Sequence, residues 1–133
     1  MPGDDQVAQA FGPRERRELT LDLEVAVDQT REGLTVLAVR GEVDMHTSPR
    51  VREVQMRVLQ EGARVVVVDL SGVAYMDSSG IATLIEGLQW CKREGRAFRL
   101  AGLTPAVRDV FDLARLVDVF QIFATRDDAL KSA

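Results

Sequence analysis

The sequence contains few of the residues on which metal sites, disulfides and membrane spans depend. Its one cysteine, Cys91, cannot form a disulfide within the chain. Its one histidine, His46, can supply neither a multi-histidine metal site nor, without a partner in evidence, a serine triad. No apolar stretch approaches the roughly 20 residues that a membrane-spanning helix requires. We therefore expect no metal site, no membrane insertion and a reducing, cytoplasmic location.

Basic patches and common catalytic motifs are missing as well. The 17 basic and 21 acidic residues give a net charge of −4 and form no basic stripe that could neutralise a row of phosphates, so direct nucleic-acid binding is not expected. The G-x-S-x-G and G-x-x-x-x-G-K-[ST] motifs of hydrolases and nucleotide-binding loops are absent. The opening residues MPGDDQVAQAFG lack the basic start and apolar centre of an export signal. These absences predict a protein that is not an enzyme, uses no cofactor and is not exported.

The length and composition indicate one folded domain. A chain of 133 residues, 46% of them hydrophobic, can bury one compact core but not two. Residues 1–18 mix proline, glycine and charges, and Val7 and Phe11 are their sizeable apolar side chains. This is too little apolar surface to offset the entropy lost on ordering. We predict a flexible N-terminal arm over residues 1–18 and one domain over residues 19–133.

The first half of that domain begins with the alternation typical of a β-hairpin. Apolar residues at Leu21, Leu23, Val25 and Val27 are followed by the polar turn DQTREG and a second apolar run over residues 34–39. The segment Arg40-Gly41-Glu42-Val43-Asp44 is expected to end the second strand and form a turn. Ser48 is a suitable N-cap and Pro49 a suitable first-turn residue, so a helix should begin there and stop at Gly62.

The second half alternates strands with helices. The run RVVVVDL at residues 64–70 is β-branched and apolar on both faces, which predicts a central strand buried on both sides. Further strands are expected at residues 98–100 and 119–123, and further helices after the caps Thr104 and Thr125. This order predicts an α/β fold whose mixed β-sheet is opened by a hairpin and covered by about four α-helices.

The tetrapeptide Asp77-Ser78-Ser79-Gly80 precedes apolar residues at the helical spacing of Ile81, Leu84, Ile85 and Leu88. It should therefore form the first turn of a helix, where unpaired N–H groups and the positive end of the dipole favour anions. The alternative is N-capping alone, which contributes about 1 kcal/mol to stability. Gly87 inside this helix costs about 1 kcal/mol relative to alanine, which suggests a close approach by another element or a partner.

Two segments resemble signatures of a known family. They are VVVVDLSGVAYMDSSGIATLIEGL, from Val65 to Leu88, and GEVDMHT, from Gly41 to Thr47. Together they are similar to the anti-sigma factor antagonists of the STAS family, and the resemblance extends over about residues 21–130. It implies a STAS-type fold and a switch between partners. The unphosphorylated protein would bind an anti-sigma factor that is also a GHKL-type serine kinase, and phosphorylation would end the binding.

The resemblance also assigns roles to individual residues. The family's phosphate acceptor follows the aspartate, so it falls on Ser78, with Ser79 as the alternative acceptor. Partner contacts would fall on Glu42, Asp44, Asp77, Ser79 and Gly80, although turn formation and capping explain Glu42 and Asp44 equally well. A PP2C-type phosphatase is implied as a further partner. The alternative function is a STAS adaptor in another signalling scaffold or in a transporter accessory complex.

Overall fold

The computed structural model describes residues 15–19 and 22–131 of the chain. These residues form six strands and four helices. In chain order the elements are β1 (Glu15–Leu19), β2 (Leu23–Arg31), β3 (Leu34–Val43), α1 (Ser48–Gln60), β4 (Val65–Met76), α2 (Ser78–Arg93), β5 (Ala97–Ala101), α3 (Pro105–Leu113), β6 (Gln121–Phe123) and α4 (Arg126–Lys131).

The strands form one mixed sheet in the order β1-β2-β3-β4-β5-β6. The pairs β1–β2 and β2–β3 are antiparallel, whereas β3–β4, β4–β5 and β5–β6 are parallel. Each parallel pair is joined through a helix, as parallel strands require. The predicted α/β fold, a mixed sheet opened by a hairpin and covered by four helices, is confirmed.

Central strand β4 separates two apolar clusters. Val66 and Val68 belong to the main core, which includes residues of α1, α2 and α3. Val67 points to the opposite face and joins a smaller cluster with Ala129 of α4. All three valines are 0% exposed, so the predicted burial of this strand on both faces is confirmed.

Three predicted boundaries are wrong by small amounts. Strand β3 does not end at Arg40 but runs to Val43, because its parallel pairing with β4 continues through Glu42 and Tyr75. The N-cap of α1 is Thr47 and not Ser48, which is the first helical residue. The last strand begins at Gln121 and not at residue 119, since pairing with β5 starts there.

Strand β1 lies partly within the predicted N-terminal arm. Its backbone pairs with β2 from Glu15↔Asp28 to Leu19↔Glu24. The sequence gives no apolar alternation there. Without β1, the edge of β2 would leave its N–H and C=O groups unpaired, and the backbone of β1 pairs with them. Ordered pairing thus begins before residue 19. The remainder of the predicted arm, residues 1–14, lies outside the described residues.

Candidate functional site

The parallel strands β3 and β4 end at the same edge of the sheet, and the helices α1 and α2 begin there. The last pair in the ladder is Val43↔Met76. Beyond it the backbone N–H of Asp77 donates to the carbonyl oxygen of Val43 at 3.1 Å. This bond holds the start of α2 against the loop that leads into α1. The two segments singled out in the sequence therefore meet at one edge.

Asp77 is the N-cap of α2. Its Oδ1 accepts hydrogen bonds from the Ser79 backbone N–H, at 2.9 Å, and from the Ser79 hydroxyl. Its carbonyl oxygen accepts the N–H groups of Gly80 and Ile81, at 3.1 and 3.2 Å. The Ser79 hydroxyl is the main cause that lowers the pKa of Asp77 below its ordinary value, so the cap is an anion at neutral pH. The predicted helix start is confirmed.

The two serines of this turn differ in their surroundings. Ser78 is exposed, and its hydroxyl makes no hydrogen bond with any residue of the described chain. Ser79 is half-buried, and its hydroxyl is engaged by Asp77. A protein that approaches from solvent can therefore reach the Ser78 oxygen without breaking an existing bond.

Gly80 is buried and does not face solvent. A Cβ at this position would lie 2.7 Å from Cγ of Met76 and 2.8 Å from Cγ1 of Val43. Such distances are shorter than van der Waals contact, so only glycine allows the first turn of α2 to close on the ends of β3 and β4. The structure thus gives Gly80 a packing role, whereas its predicted contact with a partner stays a prediction.

The loop between β3 and α1 is held by hydrogen bonds of Asp44 and Thr47. Asp44 Oδ1 accepts the backbone N–H groups of His46, at 2.8 Å, and Thr47, at 3.0 Å. The Thr47 hydroxyl donates to the carbonyl oxygen of Glu42 at 2.7 Å and accepts from the N–H of Asp44 at 2.9 Å. The turn-forming role that the sequence allowed for Asp44 is therefore present.

Negative charge is concentrated around Ser78. The backbone N–H of His46 is the main cause that lowers the pKa of Asp44, so this carboxylate is also ionised at neutral pH. The charge of Asp44 in turn acts to raise the pKa of Asp77, although hydrogen bonds to Asp77 outweigh it. The two carboxylates are thus close enough to interact. Glu42 is exposed near the end of β3, at the same edge of the sheet.

Two apolar side chains at this edge were not singled out from the sequence. Met45, next to Asp44, is 71% exposed, and Tyr75, paired with Glu42, is 49% exposed. The sequence does indicate that Met45 is exposed, because this apolar residue lies between the polar residues Asp44 and His46. The end of β4 carried no such signal for Tyr75, because burial there depends on the neighbouring strand. Large apolar groups beside charged ones are typical of protein-binding surfaces.

Within residues 15–19 and 22–131, no three histidine, cysteine or acidic side chains are grouped so that they could hold a metal ion. None of the helices in the described part of the chain is both long and apolar enough to span a membrane.

The comparison with known families identifies the fold. The family model described as the STAS domain matches residues 26–129, which include both segments of the site. The chain belongs to the STAS domain family. A curated STAS relative, the anti-sigma-B factor antagonist of Staphylococcus epidermidis, is 29% identical over 93 residues, which cover 70% of this chain and 86% of the relative.

Solved structures agree with this STAS assignment. An anti-sigma factor antagonist from Mycobacterium paratuberculosis superposes with a TM-score of 0.76 at 29% identity, over 83% of this chain and 92% of the other. The antagonist SpoIIAA in its unphosphorylated form gives a TM-score of 0.70 at 20% identity, over 81% and 94% of the two chains. Its phosphorylated form gives 0.66 at 19% identity, over 81% and 97%. At these lower identities the SpoIIAA structures support the fold alone.

Proposed function

We propose that this STAS protein is an anti-sigma factor antagonist whose binding is switched off by phosphorylation of Ser78. Its partner is an anti-sigma factor with GHKL-type serine kinase activity, which the unphosphorylated form binds so that the sigma factor is released. A PP2C-type phosphatase removes the phosphate and restores binding. The names of the relatives support the class of function, and one structural observation supports the choice of residue.

That observation is the contrast between Ser78 and Ser79. The exposed Ser78 hydroxyl is unbonded within the described chain, whereas the Ser79 hydroxyl donates to Asp77. Phosphorylation of Ser79 would remove a donor from the N-cap and place a dianion directly against the Asp77 carboxylate. Phosphorylation of Ser78 leaves the cap intact, and the helix N-terminus favours an anion there.

The charge around Ser78 explains how a phosphate could end binding without unfolding the protein. A phosphate adds about −1.5 to −2 charge at neutral pH. In the free protein water screens this charge from Asp44 and Asp77. Inside an interface the same charges lose their water and repel one another, which costs several kcal/mol. We expect phosphorylation to weaken partner binding by about a hundredfold or more.

The surface around Ser78 also indicates the chemistry of the partner. The exposed side chains of Met45 and Tyr75 offer apolar anchors, and Glu42 and Asp44 place negative charge beside them. A complementary partner surface has apolar pockets bordered by lysine or arginine. Binding should therefore weaken as the salt concentration rises, because the charged border contributes to association.

Mass analysis of the protein from its native host tests the acceptor. The wild type, Ser78→Ala and Ser79→Ala are purified, and the peptide from Met76 to Leu88 is mapped for a phosphoryl adduct of about 80 Da. We expect the adduct in wild type and Ser79→Ala and its absence in Ser78→Ala. Binding of the unphosphorylated and phosphorylated wild type to a captured anti-sigma kinase is then compared. An adduct on another residue, or equal binding of both forms, would refute the proposal.

A further inference from the structure

A buried glutamine joins the two helices that begin at the site. Gln55 of α1 is 0% exposed and lies among the apolar residues that α1 packs against the sheet. Its Nε2 donates to the carbonyl oxygen of Thr83 in α2 at 3.0 Å. Its Oε1 accepts no hydrogen bond within the described part of the chain. Burying an amide whose oxygen lacks a hydrogen-bond partner is unfavourable compared with placing an apolar side chain there.

The second helix is shaped to receive this amide. A Cβ at Gly87 of α2 would lie 2.7 Å from Nε2 of Gln55 and 2.6 Å from Cε1 of Phe98. Glycine at position 87 is therefore required by the close approach of α1 and β5. Glycine at this position and glutamine on α1 fix one distance between the helices, whereas apolar side chains alone would allow them to slide.

Further hydrogen bonds connect this contact to the first turn of α2, which contains Ser78 and is called the Ser78 turn below. The hydroxyl of Thr83, which is 6% exposed, donates to the carbonyl oxygen of Ser79 at 3.1 Å. Ser79 in turn donates to the Asp77 cap through its N–H and its hydroxyl. One connected path thus runs from Gln55 through Thr83 and Ser79 to Asp77. On the outer side of the same helix pair, Arg52 and Glu86 form two hydrogen bonds at 2.6 and 2.7 Å.

We propose that Gln55 is a positioning residue for the Ser78 turn, setting the placement of the first turn of α2 relative to the loop that precedes α1. Because α1 follows the Asp44 loop and α2 follows Asp77, the spacing of these helices sets how the acidic loop and Ser78 are presented together. Gln55 acts through Thr83 and touches no partner itself. The part of this inference that concerns binding rests on the proposed function, whereas the placement of the turn does not.

The test compares Gln55→Leu with Gln60→Leu. Leucine at position 55 keeps the approximate volume and removes the amide, and Gln60 is an exposed glutamine of the same helix that serves as the matched control. Amide signals of Ser78, Ser79 and Gly80 are followed by two-dimensional NMR in the isolated protein. We expect them to move in Gln55→Leu and to stay in place in Gln60→Leu. Gln55→Met is the second variant, in case leucine does not fit.

A second experiment measures the affinity of each variant for the anti-sigma kinase. The Kd of unphosphorylated Gln55→Leu should be raised roughly fivefold, with thermal stability equal to or above that of wild type, because no amide remains buried. A purely structural glutamine would change stability and leave the Ser78 to Gly80 signals unmoved, and that result overturns the inference. A Kd within twofold of wild type also overturns it. Failure of wild type itself to bind any anti-sigma kinase instead counts against the proposed function, while the NMR comparison still decides the placement.

Discussion

A methyl group added at Gly87 would test how closely α2 approaches its neighbours. In a solvated helix, Gly→Ala is favourable by about 1 kcal/mol. Here the new Cβ would lie 2.6 Å from the ring of Phe98 and 2.7 Å from the amide of Gln55. Both neighbours are buried and both contacts are below 3 Å, so the cost of overpacking should lie in the upper part of its usual range, at about 2–3 kcal/mol. We therefore expect a net loss of about 1–2 kcal/mol, opposite in sign to the helix propensity.

The loss should be visible in thermal unfolding. With an unfolding entropy of about 2.1 cal/mol/K per residue over the 133 residues, a change of 1–2 kcal/mol lowers the Tm by about 4–7 °C. The matched control is Gln89→Ala, an exposed position of the same helix, where the Tm should change by less than about 2 °C. Circular dichroism melts of the three proteins measure this directly.

A double substitution identifies the cause of the loss. Phe98→Leu shortens the side chain that the new methyl would meet, so Gly87→Ala should cost less in that background, by about 1 kcal/mol. A Tm of Gly87→Ala at or above that of wild type would show that the space between the helices accepts a methyl group. That result would contradict the close approach of Gln55 and Phe98 to Gly87.

Three further predictions concern the cap, the last helix and the cysteine. Asp77→Ala should lower the free energy of unfolding by about 1 kcal/mol at neutral pH, measured by urea unfolding. Because the pKa of Asp77 is lowered from 3.8, the difference between the two proteins should shrink only as the pH falls below 3.8. Arg126→Gln removes the bonds to Asp69 Oδ2 at 3.0 and 3.1 Å, so hydrogen exchange in α4 should accelerate about tenfold while exchange in α2 stays unchanged. Burial raises the pKa of Cys91 to about 11, so about one thiol in a thousand is ionised at pH 8 and Ellman's reagent should react only on unfolding; rapid reaction in native buffer would contradict this.

The parts of the fold that follow from local pattern were predictable from the sequence. The β-branched apolar run at residues 65–68 favours a strand that is covered on both faces, and in β4 it forms such a strand. Asp77 could be assigned to a helix start because its side chain can reach the N–H two residues later, and it does so at 2.9 Å. Such features depend on near neighbours in the chain.

The parts that depend on pairing between distant segments were not predictable. Strand β4 runs through Ser71 and Gly72, which interrupt the apolar pattern, because β3 supplies its hydrogen-bond partners. Strand β1 likewise depends on the free edge of β2 and not on its own apolar residues. Propensity is overridden in both places by a backbone partner that no local window contains.

The candidate site was predictable in position but not in detail. The sequence placed Ser78 and Ser79 on one turn, and only the direction of the Ser79 hydroxyl towards Asp77 separates them. The sequence does carry a signal for Gln55, which is a polar residue next to Val54 and four positions after Val51, within the buried stripe of α1. A polar side chain at a core position requires a partner, and here that partner is the backbone of α2.

The local charges are compatible with the proposed role of a phosphate on Ser78 as a reversible switch. The N-terminus of α2 carries a partial positive charge, which offsets part of the repulsion between a phosphate and the carboxylates of Asp77 and Asp44 while the surface is solvated. A partner that covers Met45 and Tyr75 removes that solvent and leaves three anionic groups facing its own surface. Under this proposal the modification would be nearly neutral for folding and unfavourable for binding. If the proposed switch operates, removal of the phosphate would return a folded protein that can bind at once, without a refolding step.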